Sequence, residues 1–312
     1  MRGPLRRATD DRVPHAPGPG PFRTPHGGVG AAALCDAAAV ATWVIDLDGV
    51  MWWGEATIGG APAAVDRLRS DGHTVVFCTN HALAPAVKQE QLAGHGVAGA
   101  AVVTSAEAAV ARCGPRDRVL VLGAPSLVEL VGASGRDVVD AREVGPSGPP
   151  DVDAVLVGAH DDWDRSRTGW AADAVRAGAR FLATNGDPTF PQSGPGGPRL
   201  LPGAGAIVAA VAVAAGREPE VCGKPHAAMA DLLVARHGPV DVVVGDLPST
   251  DGELARRLGA RFALVLSGVT GPDRVPRSPA PWAVAADLGE LVRSVAEGGP
   301  GTDDPGADGG DR

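Results

Sequence analysis

Two aspartates that follow an apolar segment form the strongest chemical signal in the sequence. The segment WVI (43–45) leads into DLDG, and the alternation of side chains along a strand places Asp46 and Asp48 on about the same side. Open α/β sheets bind ligands at the carboxyl ends of their strands. There, an ionised carboxylate can attack phosphorus while its neighbour transfers protons. A DxDG segment considered alone is also compatible with a turn in which the aspartates only cap the loop.

Three further apolar segments also end in polar residues. Thr79 and Asn80 follow TVVFC and offer a hydroxyl and an amide to phosphoryl oxygens. Lys224 follows VCG, and Asp246 follows VVVG, with Asp251 at the start of the next predicted helix. Taken singly, these residues are also typical of a helix cap, a surface lysine and a turn. Their occurrence at successive strand ends predicts one anion-binding site.

Lysine is rare in this chain. The sequence has 28 basic residues, and all are arginine except Lys88 and Lys224. A lysine that persists in such a background marks a place that needs a compact charge instead of a planar guanidinium. This observation strengthens the assignment of Lys224 to the predicted site.

The elements that must position these residues alternate between strand-like and helical segments, which is typical of an α/β fold with a mainly parallel sheet. Strands are predicted at 43–46, 74–79, 118–122, 152–157, 180–184, 221–224, 241–246 and 262–266. Helices are predicted at 63–70, 85–94, 105–112, 166–177, 204–215, 226–236 and 251–258. Gly- and Pro-rich breaks occur at 145–150 and 194–198, and segments 1–38 and 297–312 are expected to be disordered tails.

Composition excludes several classes of protein. The 44 glycines and 28 prolines lack the period of collagen, and a hydrophobic fraction of 44% supports a packed core. A net charge of −9 without a basic stripe argues against a nucleic-acid partner. No apolar stretch is long enough to predict a membrane span. The four cysteines lack a CxxC pair, which favours a cytoplasmic location.

These motifs resemble those of the haloacid dehalogenase superfamily of phosphatases. The resemblance covers about residues 40–270 and includes DLDGV, TN, GKP and GDxxxTD. The segments ARFLATNGDPTFP, LLPGAGAIVAA and EVCGKPHAAMADLL are similar to the NagD/p-nitrophenylphosphatase-like branch. The resemblance implies a Rossmann-like three-layer α/β core with a parallel sheet and an inserted α/β cap domain.

The resemblance also implies a role for each strand-end residue. Asp46 would be the nucleophile that forms an aspartyl-phosphate, and Asp48 would be the general acid and base. Thr79 and Asn80 would hold the phosphoryl group. Lys224 would offset the negative charge of the nucleophile and the phosphate.

A magnesium ion is the cofactor that the resemblance implies. Mg²⁺ would lie between the Asp46 carboxylate, the Asp48 backbone carbonyl and Asp246, with Asp251 in or next to its shell. Carboxylate oxygens, waters and substrate phosphate are the ligands that Mg²⁺ prefers.

Three positions depart from the pattern of the branch. Leu247 stands where arginine is frequent, Ser249 where a third acidic residue is frequent, and His81 where asparagine or serine is common. These departures spare the four catalytic positions but leave substrate preference and details of the metal shell open.

The expected domains are a core at 39–101 and 203–296 and a cap at 102–202. The cap loop 184–190 would face the active site, and its substrate contacts would come from Asn185, Asp187 and Thr189. His160 and Trp163 are weaker candidates, because a single histidine is more often an ordinary surface or capping residue. Caps in this branch often contribute to dimers, so a homodimer is possible.

The sequence therefore predicts a Mg²⁺-dependent phosphomonoester hydrolase of a small phosphorylated metabolite. Two alternatives are a receiver-type phosphoacceptor and a catalytically weak protein that binds or senses a phosphometabolite. Asp48 as a proton donor, the chain length and the inserted cap argue against the receiver. Release of phosphate from p-nitrophenyl phosphate, with and without Mg²⁺, would separate these classes.

Overall fold

The computed structural model describes residues 40–192 and 199–297. The predicted tail 1–38, residues 298–312 of the second predicted tail and the predicted break at 194–198 lie outside the described residues. Within the described part, two parallel sheets carry the fold, and none of the helices combines the length and the apolar character needed to span a membrane.

The described elements follow the predicted alternation closely. The strands are β1 (Thr42–Ile45), β2 (Trp52–Trp53), β3 (Ala56–Thr57), β4 (Thr74–Thr79), β5 (Ala101–Thr104), β6 (Arg118–Leu122), β7 (Asp137–Asp140), β8 (Ala154–Val157), β9 (Arg180–Ala183), β10 (Thr189–Gln192), β11 (Arg199–Pro202), β12 (Glu220–Val221), β13 (Val242–Gly245), β14 (Arg261–Val265) and β15 (Ala283–Ala285). The helices are α1 (Ala61–Ser70), α2 (Pro85–Gly94), α3 (Ser105–Arg112), α4 (Pro125–Ala133), α5 (Arg165–Ala177), α6 (Ala204–Ala215), α7 (Ala227–His237), α8 (Glu253–Leu258) and α9 (Leu288–Ala296).

A six-stranded parallel sheet forms the centre of the larger half, with the strand order β15-β14-β13-β1-β4-β5. Alternate residues of its strands point to opposite faces. Ile45 and Val244 pack on the face covered by α1 and α9, whereas Val44 and Val243 pack on the face covered by α3, α7 and α8. This arrangement is the predicted three-layer α/β core, and the fold class is confirmed.

A five-stranded parallel sheet forms the smaller half, with the order β12-β9-β8-β6-β7. Helices α5 and α6 pack together on one of its faces, where Ala172, Val175 and Ile207 are buried. Helix α3 connects the two halves, because it packs against both α7 and α4. Its N-terminus is fixed by a capping box between Thr104 and Glu107.

The pairing of the strands differs from the predicted core and cap boundaries. The strand β5 pairs with β4 of the six-stranded sheet, although the expected cap begins at 102. At the other end, α6 and β12 pack with the five-stranded sheet, although the expected core resumes at 203. Local apolar patterns do not specify which sheet an element joins. We propose that the inserted unit begins after α3 and ends after β12.

Candidate active site

The carboxyl ends of β1 and β13 bring two predicted aspartates together. These strands are neighbours in the sheet, with Ile45 opposite Val244. Asp46 directly follows β1 and continues its hydrogen bonding, since its N–H donates to the carbonyl of Val244 at 2.9 Å. Asp246 directly follows β13. The register of two adjacent strands therefore places both side chains at the same edge of the sheet.

Three carboxylates form a compact cluster at this edge. Asp46, Asp246 and Asp251 each offer an oxygen, and these oxygens lie within 4.8 Å of one another. Asp251 comes from the π-helical turn Pro248–Gly252, which packs against β13 and β14. Asp246 and Asp251 are 3% and 0% exposed, and the Asp46 side chain is 12% exposed. The cluster thus concentrates negative charge in a poorly hydrated place.

Close backbone approach makes room for these carboxylates. A Cβ on Gly245 would lie 2.1 Å from Cγ of Asp251, and a Cβ on Gly268 would lie 2.0 Å from Oδ2 of Asp246. The Val269 N–H donates to that Asp246 oxygen at 2.6 Å. The Leu247 N–H donates to Oδ2 of Asp251 at 3.2 Å. The backbone holds the carboxylates where side-chain atoms would collide with them.

Lys224 is the cation of the cluster. Its Nζ lies 2.7 Å from Oδ1 of Asp46 and 2.7 Å from Oδ1 of Asp251, and the residue is 5% exposed. The Leu47 N–H also binds Oδ1 of Asp46, at 2.7 Å. Among the described residues, Oδ2 of Asp46 therefore has no hydrogen-bond partner, so one oxygen of this carboxylate is held and the other is free.

The titration of the cluster reflects burial. Burial raises the pKa of Asp46 well above its ordinary value; Lys224 opposes this, and Asp251 and Asp246 add to it. Burial, and then the charge of Asp251, raises the pKa of Asp246 to about 6. Burial lowers the pKa of Lys224, but the carboxylates of Asp251 and Asp46 outweigh that effect and hold it well above its usual range.

Asp48 borders the cluster without belonging to it. Its side chain is exposed, and its Oδ1 accepts a hydrogen bond from Nε1 of Trp52 at 2.9 Å. The Trp52 ring is buried and stacks on His95 with a centroid distance of 4.9 Å. Sequence reasoning missed Trp52, although its position four residues after Asp48 in the first motif was the available signal.

The TN motif at the end of β4 is placed beside Lys224. Thr79 is buried, and its hydroxyl accepts a hydrogen bond from the His81 N–H at 3.1 Å. Asn80 binds the main chain of Lys224 on both sides, since its Oδ1 accepts from N at 2.7 Å and its Nδ2 donates to O at 3.2 Å. The side chain of Asn80 thus fixes the lysine. Its predicted contact with a phosphoryl group stays a prediction.

The loop after β9 reaches the TN motif from the second sheet. Asn185 is buried and donates from Nδ2 to the carbonyl of Asn80 at 2.6 Å. Oδ1 of Asp187 accepts from Nδ2 of Asn80 at 3.3 Å, and burial raises the pKa of Asp187. Thr189 is exposed. The structure thus brings Asn185 and Asp187 to the TN motif.

The weaker cap candidates, His160 and Trp163, are not brought to the strand-end residues in the described structure, and Nε2 of His160 is buried without a hydrogen-bond partner among the described residues. Nδ1 of His160 lies 3.0 Å from the carbonyl of Gly158, and Trp163 is 40% exposed. Neither makes a described contact with the strand-end residues. Their proposed contact with substrate gains no support from this geometry.

A parallel α/β sheet with a buried acidic cluster at its strand ends is typical of enzymes of the haloacid dehalogenase type. The family model for haloacid dehalogenase-like hydrolases matches residues 43–136, and a second HAD-hydrolase-like model matches residues 221–291. The D-glycerol 3-phosphate phosphatase of Mycobacterium tuberculosis is 36% identical over 267 residues, which cover 80% of this chain and 70% of that protein.

Solved structures agree with this assignment. The 4-nitrophenylphosphatase of Thermotoga maritima superposes with a TM-score of 0.72 at 29% identity, covering 84% of this chain and 99% of the other. The glycerol phosphate phosphatase of M. tuberculosis in complex with magnesium superposes with a TM-score of 0.70 at 33% identity, covering 83% and 79%. The chain belongs to the haloacid dehalogenase-like hydrolases and is a phosphatase of the NagD/p-nitrophenylphosphatase-like branch.

Proposed function

We propose that the chain is a Mg²⁺-dependent phosphomonoester hydrolase that acts on a small phosphorylated metabolite through an aspartyl-phosphate on Asp46. The observation that carries the proposal is the environment of the Asp46 carboxylate. One oxygen is held by Lys224 while the other is free, and two more carboxylates lie beside it.

The acidic cluster fits a divalent cation. Three carboxylates face one ammonium group, so when ionised they leave about two negative charges without a described cationic partner. Buried charges that lack compensation are costly, and Mg²⁺ prefers carboxylate oxygens together with water and phosphate. Asp46, Asp246 and Asp251 would hold the ion, with the Asp48 backbone carbonyl as the further ligand that the resemblance suggests. When bound, Mg²⁺ would neutralise charge on the phosphoryl group.

The first half-reaction transfers the phosphoryl group to the protein. The free oxygen of Asp46 attacks phosphorus, and the bond between phosphorus and the leaving oxygen breaks. Asp48 donates a proton to that oxygen, so the product leaves as an alcohol. Trp52 orients Asp48 through the hydrogen bond from Nε1.

The second half-reaction returns Asp46 to its starting form. Asp48, now ionised, accepts a proton from a water molecule as that water attacks the phosphorus of the aspartyl-phosphate. The bond between phosphorus and the Asp46 oxygen breaks, and inorganic phosphate leaves. Lys224 offsets negative charge in both steps, and the Thr79 hydroxyl offers a donor to the phosphoryl oxygens.

The loop from the second sheet supports substrate selection in this proposal. Asn185 and Asp187 hydrogen-bond Asn80, which itself fixes Lys224. In this proposal the loop would cover the site beside Asn80, contact the leaving group and exclude water.

The departures from the branch pattern do not favour the alternative of a catalytically weak binding protein. Leu247 holds Asp251 through its backbone N–H, which any residue except proline supplies. Ser249 is exposed. The described cluster thus keeps its carboxylates without an arginine at 247 or an acid at 249.

The test is release of phosphate from p-nitrophenyl phosphate and a panel of phosphorylated metabolites, with Mg²⁺ and with a chelator. We expect turnover that needs the metal and that Asp46→Asn abolishes, because an amide cannot form the acyl phosphate. Mass spectrometry of acid-quenched enzyme should find the phosphoryl group on the peptide that contains Asp46. A folded Asp46→Asn protein that retains more than a few per cent of activity would contradict the nucleophile, and a wild-type protein that binds the metabolites without releasing phosphate would support the binding alternative.

A further inference from the structure

Lys88 is a buried cation that the reaction scheme above does not use. It lies in α2 and is 4% exposed. Its Nζ donates to Oε1 of Gln91 at 3.0 Å and lies 5.7 Å from the centroid of the Trp52 ring. No carboxylate of the described residues lies within 4.0 Å of it. An ammonium group has three N–H donors, so two of those on Lys88 lack an acceptor within this part of the chain.

The contrast with Lys224 shows why this is unusual. Lys224 is equally buried, but two carboxylates bind it at 2.7 Å. An ammonium group removed from water without an anionic partner is costly. Lys88 therefore lacks the carboxylate partners that stabilise the buried ammonium group of Lys224.

Lys88 lies near Asp48, the residue that protonates the leaving group in the proposed reaction. Trp52 faces Lys88 with its ring and donates from Nε1 to Asp48 at 2.9 Å. Burial lowers the pKa of Lys88, and the carboxylates of Asp48 and Asp46 partly offset that effect. The ammonium group is thus close enough to interact with Asp48, yet forms no ion pair with it.

His81 and Phe190 form another wall of the same region. The rings of His81 and Phe190 pack in a T-shaped arrangement with a centroid distance of 5.4 Å, and Nδ1 of His81 is buried without a hydrogen-bond partner among the described residues. Burial, together with the charge of Lys88, lowers the pKa of His81 to about 4. The imidazole is therefore neutral at physiological pH, and Lys88 is the cation of this wall.

The proposed chemistry fixes where the leaving group lies. Its ester oxygen must be near Asp48, which protonates it, so the rest of the leaving group extends toward the groups that surround Asp48. A carboxylate there would supply two acceptor oxygens and a full negative charge to Lys88. A neutral alcohol would leave the ammonium group uncompensated.

We propose that Lys88 is a specificity-determining residue that binds a carboxylate on the leaving group, so that the preferred substrates are phosphomonoesters of small hydroxy acids. The inference rests on the proposed function, and it adds the chemical class of the substrate. It assigns Lys88 to substrate recognition and leaves bond cleavage to Asp46 and Asp48.

The test compares two esters that differ at one group. The leaving group of 2-phosphoglycolate carries a carboxylate, which in 2-hydroxyethyl phosphate is replaced by a hydroxymethyl group. We expect wild-type kcat/KM to favour 2-phosphoglycolate at least tenfold, and Lys88→Met to lower that ratio about 10–100-fold, as expected for a charge-assisted hydrogen bond. Lys88→Arg should retain part of the preference, because it keeps the charge. Glu90→Met, at an exposed position of the same helix, serves as the matched control and should keep the ratio.

The outcomes separate this inference from the proposed function. A ratio in folded Lys88→Met within about threefold of the wild-type ratio would overturn the inference, as would a wild-type preference for the neutral ester. If Lys88→Met does not fold, Lys88→Gln is measured against the same thresholds. Absence of phosphate release by the wild-type protein from both esters and from p-nitrophenyl phosphate would overturn the proposed function itself, and the inference with it.

Discussion

Glycines at strand ends leave room for a neighbouring side chain in both parallel sheets, but the side chain is charged in one sheet and apolar in the other. In the six-stranded sheet, Gly245 and Gly268 lie where a Cβ would collide with the carboxylates of Asp251 and Asp246. In the five-stranded sheet, Gly123 directly follows β6 and Gly158 directly follows β8, and a Cβ on either would lie within 3.0 Å of a side-chain carbon of Leu127. One sheet makes room for charge, and the other makes room for an apolar side chain.

This difference shows that a parallel sheet does not determine chemistry by its topology alone. Both sheets have glycines at the ends of some strands, and helices cover both sheets. The six-stranded sheet places Asp46 and Asp246 directly after the adjacent strands β1 and β13, whereas Asp187 and Lys224 follow the adjacent strands β9 and β12 of the five-stranded sheet. The five-stranded sheet contributes a loop whose Asn185 and Asp187 reach the Asn80 beside those groups. We therefore expect substitutions at the acidic cluster and at Lys224 to affect turnover, and substitutions at Gly123 or Asp187 in the five-stranded half to affect stability or selectivity.

Lys224 gives the largest expected effect. Lys224→Arg keeps the charge but puts a planar guanidinium between two carboxylates that each lie 2.7 Å from the ammonium, so kcat/KM should fall at least 100-fold. Lys224→Met leaves both carboxylates without their cation and should lower the free energy of unfolding of the metal-free protein by about 3–5 kcal/mol. Kinetics with p-nitrophenyl phosphate and urea unfolding measure the two effects. Near-wild-type kinetics of Lys224→Arg would refute the need for a compact cation.

A pair of glycine substitutions tests the comparison directly. Gly245→Ala forces Asp251 to move, because the new Cβ would lie 2.1 Å from Cγ, and we expect activity to fall about 10–100-fold. Gly123→Ala presses on the end of the flexible Leu127 side chain, at 2.7 Å, and should cost about 1–3 kcal/mol of stability while activity changes less than threefold. Equal losses of activity in the two folded variants would remove the distinction between the sheets.

Strand-end chemistry was the part of the site that sequence could predict. An apolar segment that changes abruptly to Asp46 or Asp246 is a local pattern, and adjacent parallel strands bring such ends together. Lys224 shows the same local pattern, but it follows β12 of the five-stranded sheet, so its approach to Asp46 depends on the packing of the two sheets. The hydrogen bonds of Asn80 to Lys224 join positions 144 residues apart, and no local pattern encodes them. Trp52 was missed for a related reason. Its ring is apolar, and the hydrogen bond from its Nε1 to Asp48 is visible only in the folded structure.

Fold class was similarly easier to predict than the assignment of elements to sheets. The strand β4 has six residues and was predicted with its observed bounds. The four-residue strand β5 has too little pattern of its own, and it is recognised by its pairing with β4. Helix α6 was predicted with its observed bounds, but its packing against α5 depends on tertiary contacts.

Asp187 tests the contribution of the second sheet to selectivity. Asp187→Ala removes one of the two acceptors of Nδ2 of Asn80, so we expect the ranking of metabolites by kcat/KM to shift about tenfold, more than the rate on p-nitrophenyl phosphate changes. The measurement is a substrate panel for both proteins. An unchanged ranking would show that this loop does not select the leaving group.

His81 gives the smallest expected effect, and it appears only in acid. Its folded pKa of about 4 lies below the ordinary value of 6.5, so the unfolded state binds the proton more strongly. Stability from this group is therefore full above pH 6.5 and is lost as the pH falls toward 4. At pH 5.5 the loss is about 1 kcal/mol, and His81→Asn should not show it. Parallel curves of melting temperature against pH for the two proteins would contradict this assignment.

The burial of both lysines has a practical consequence for labelling the protein. The sequence contains no lysine besides Lys88 and Lys224, and these are 4% and 5% exposed. Reagents that acylate amines therefore find no accessible lysine side chain in the folded protein. The rate at which either lysine becomes acylated would report how often the catalytic region opens, and bound substrate or product should slow that rate. The scarcity of lysine thus confines the acylation of lysine side chains to this one region of the protein.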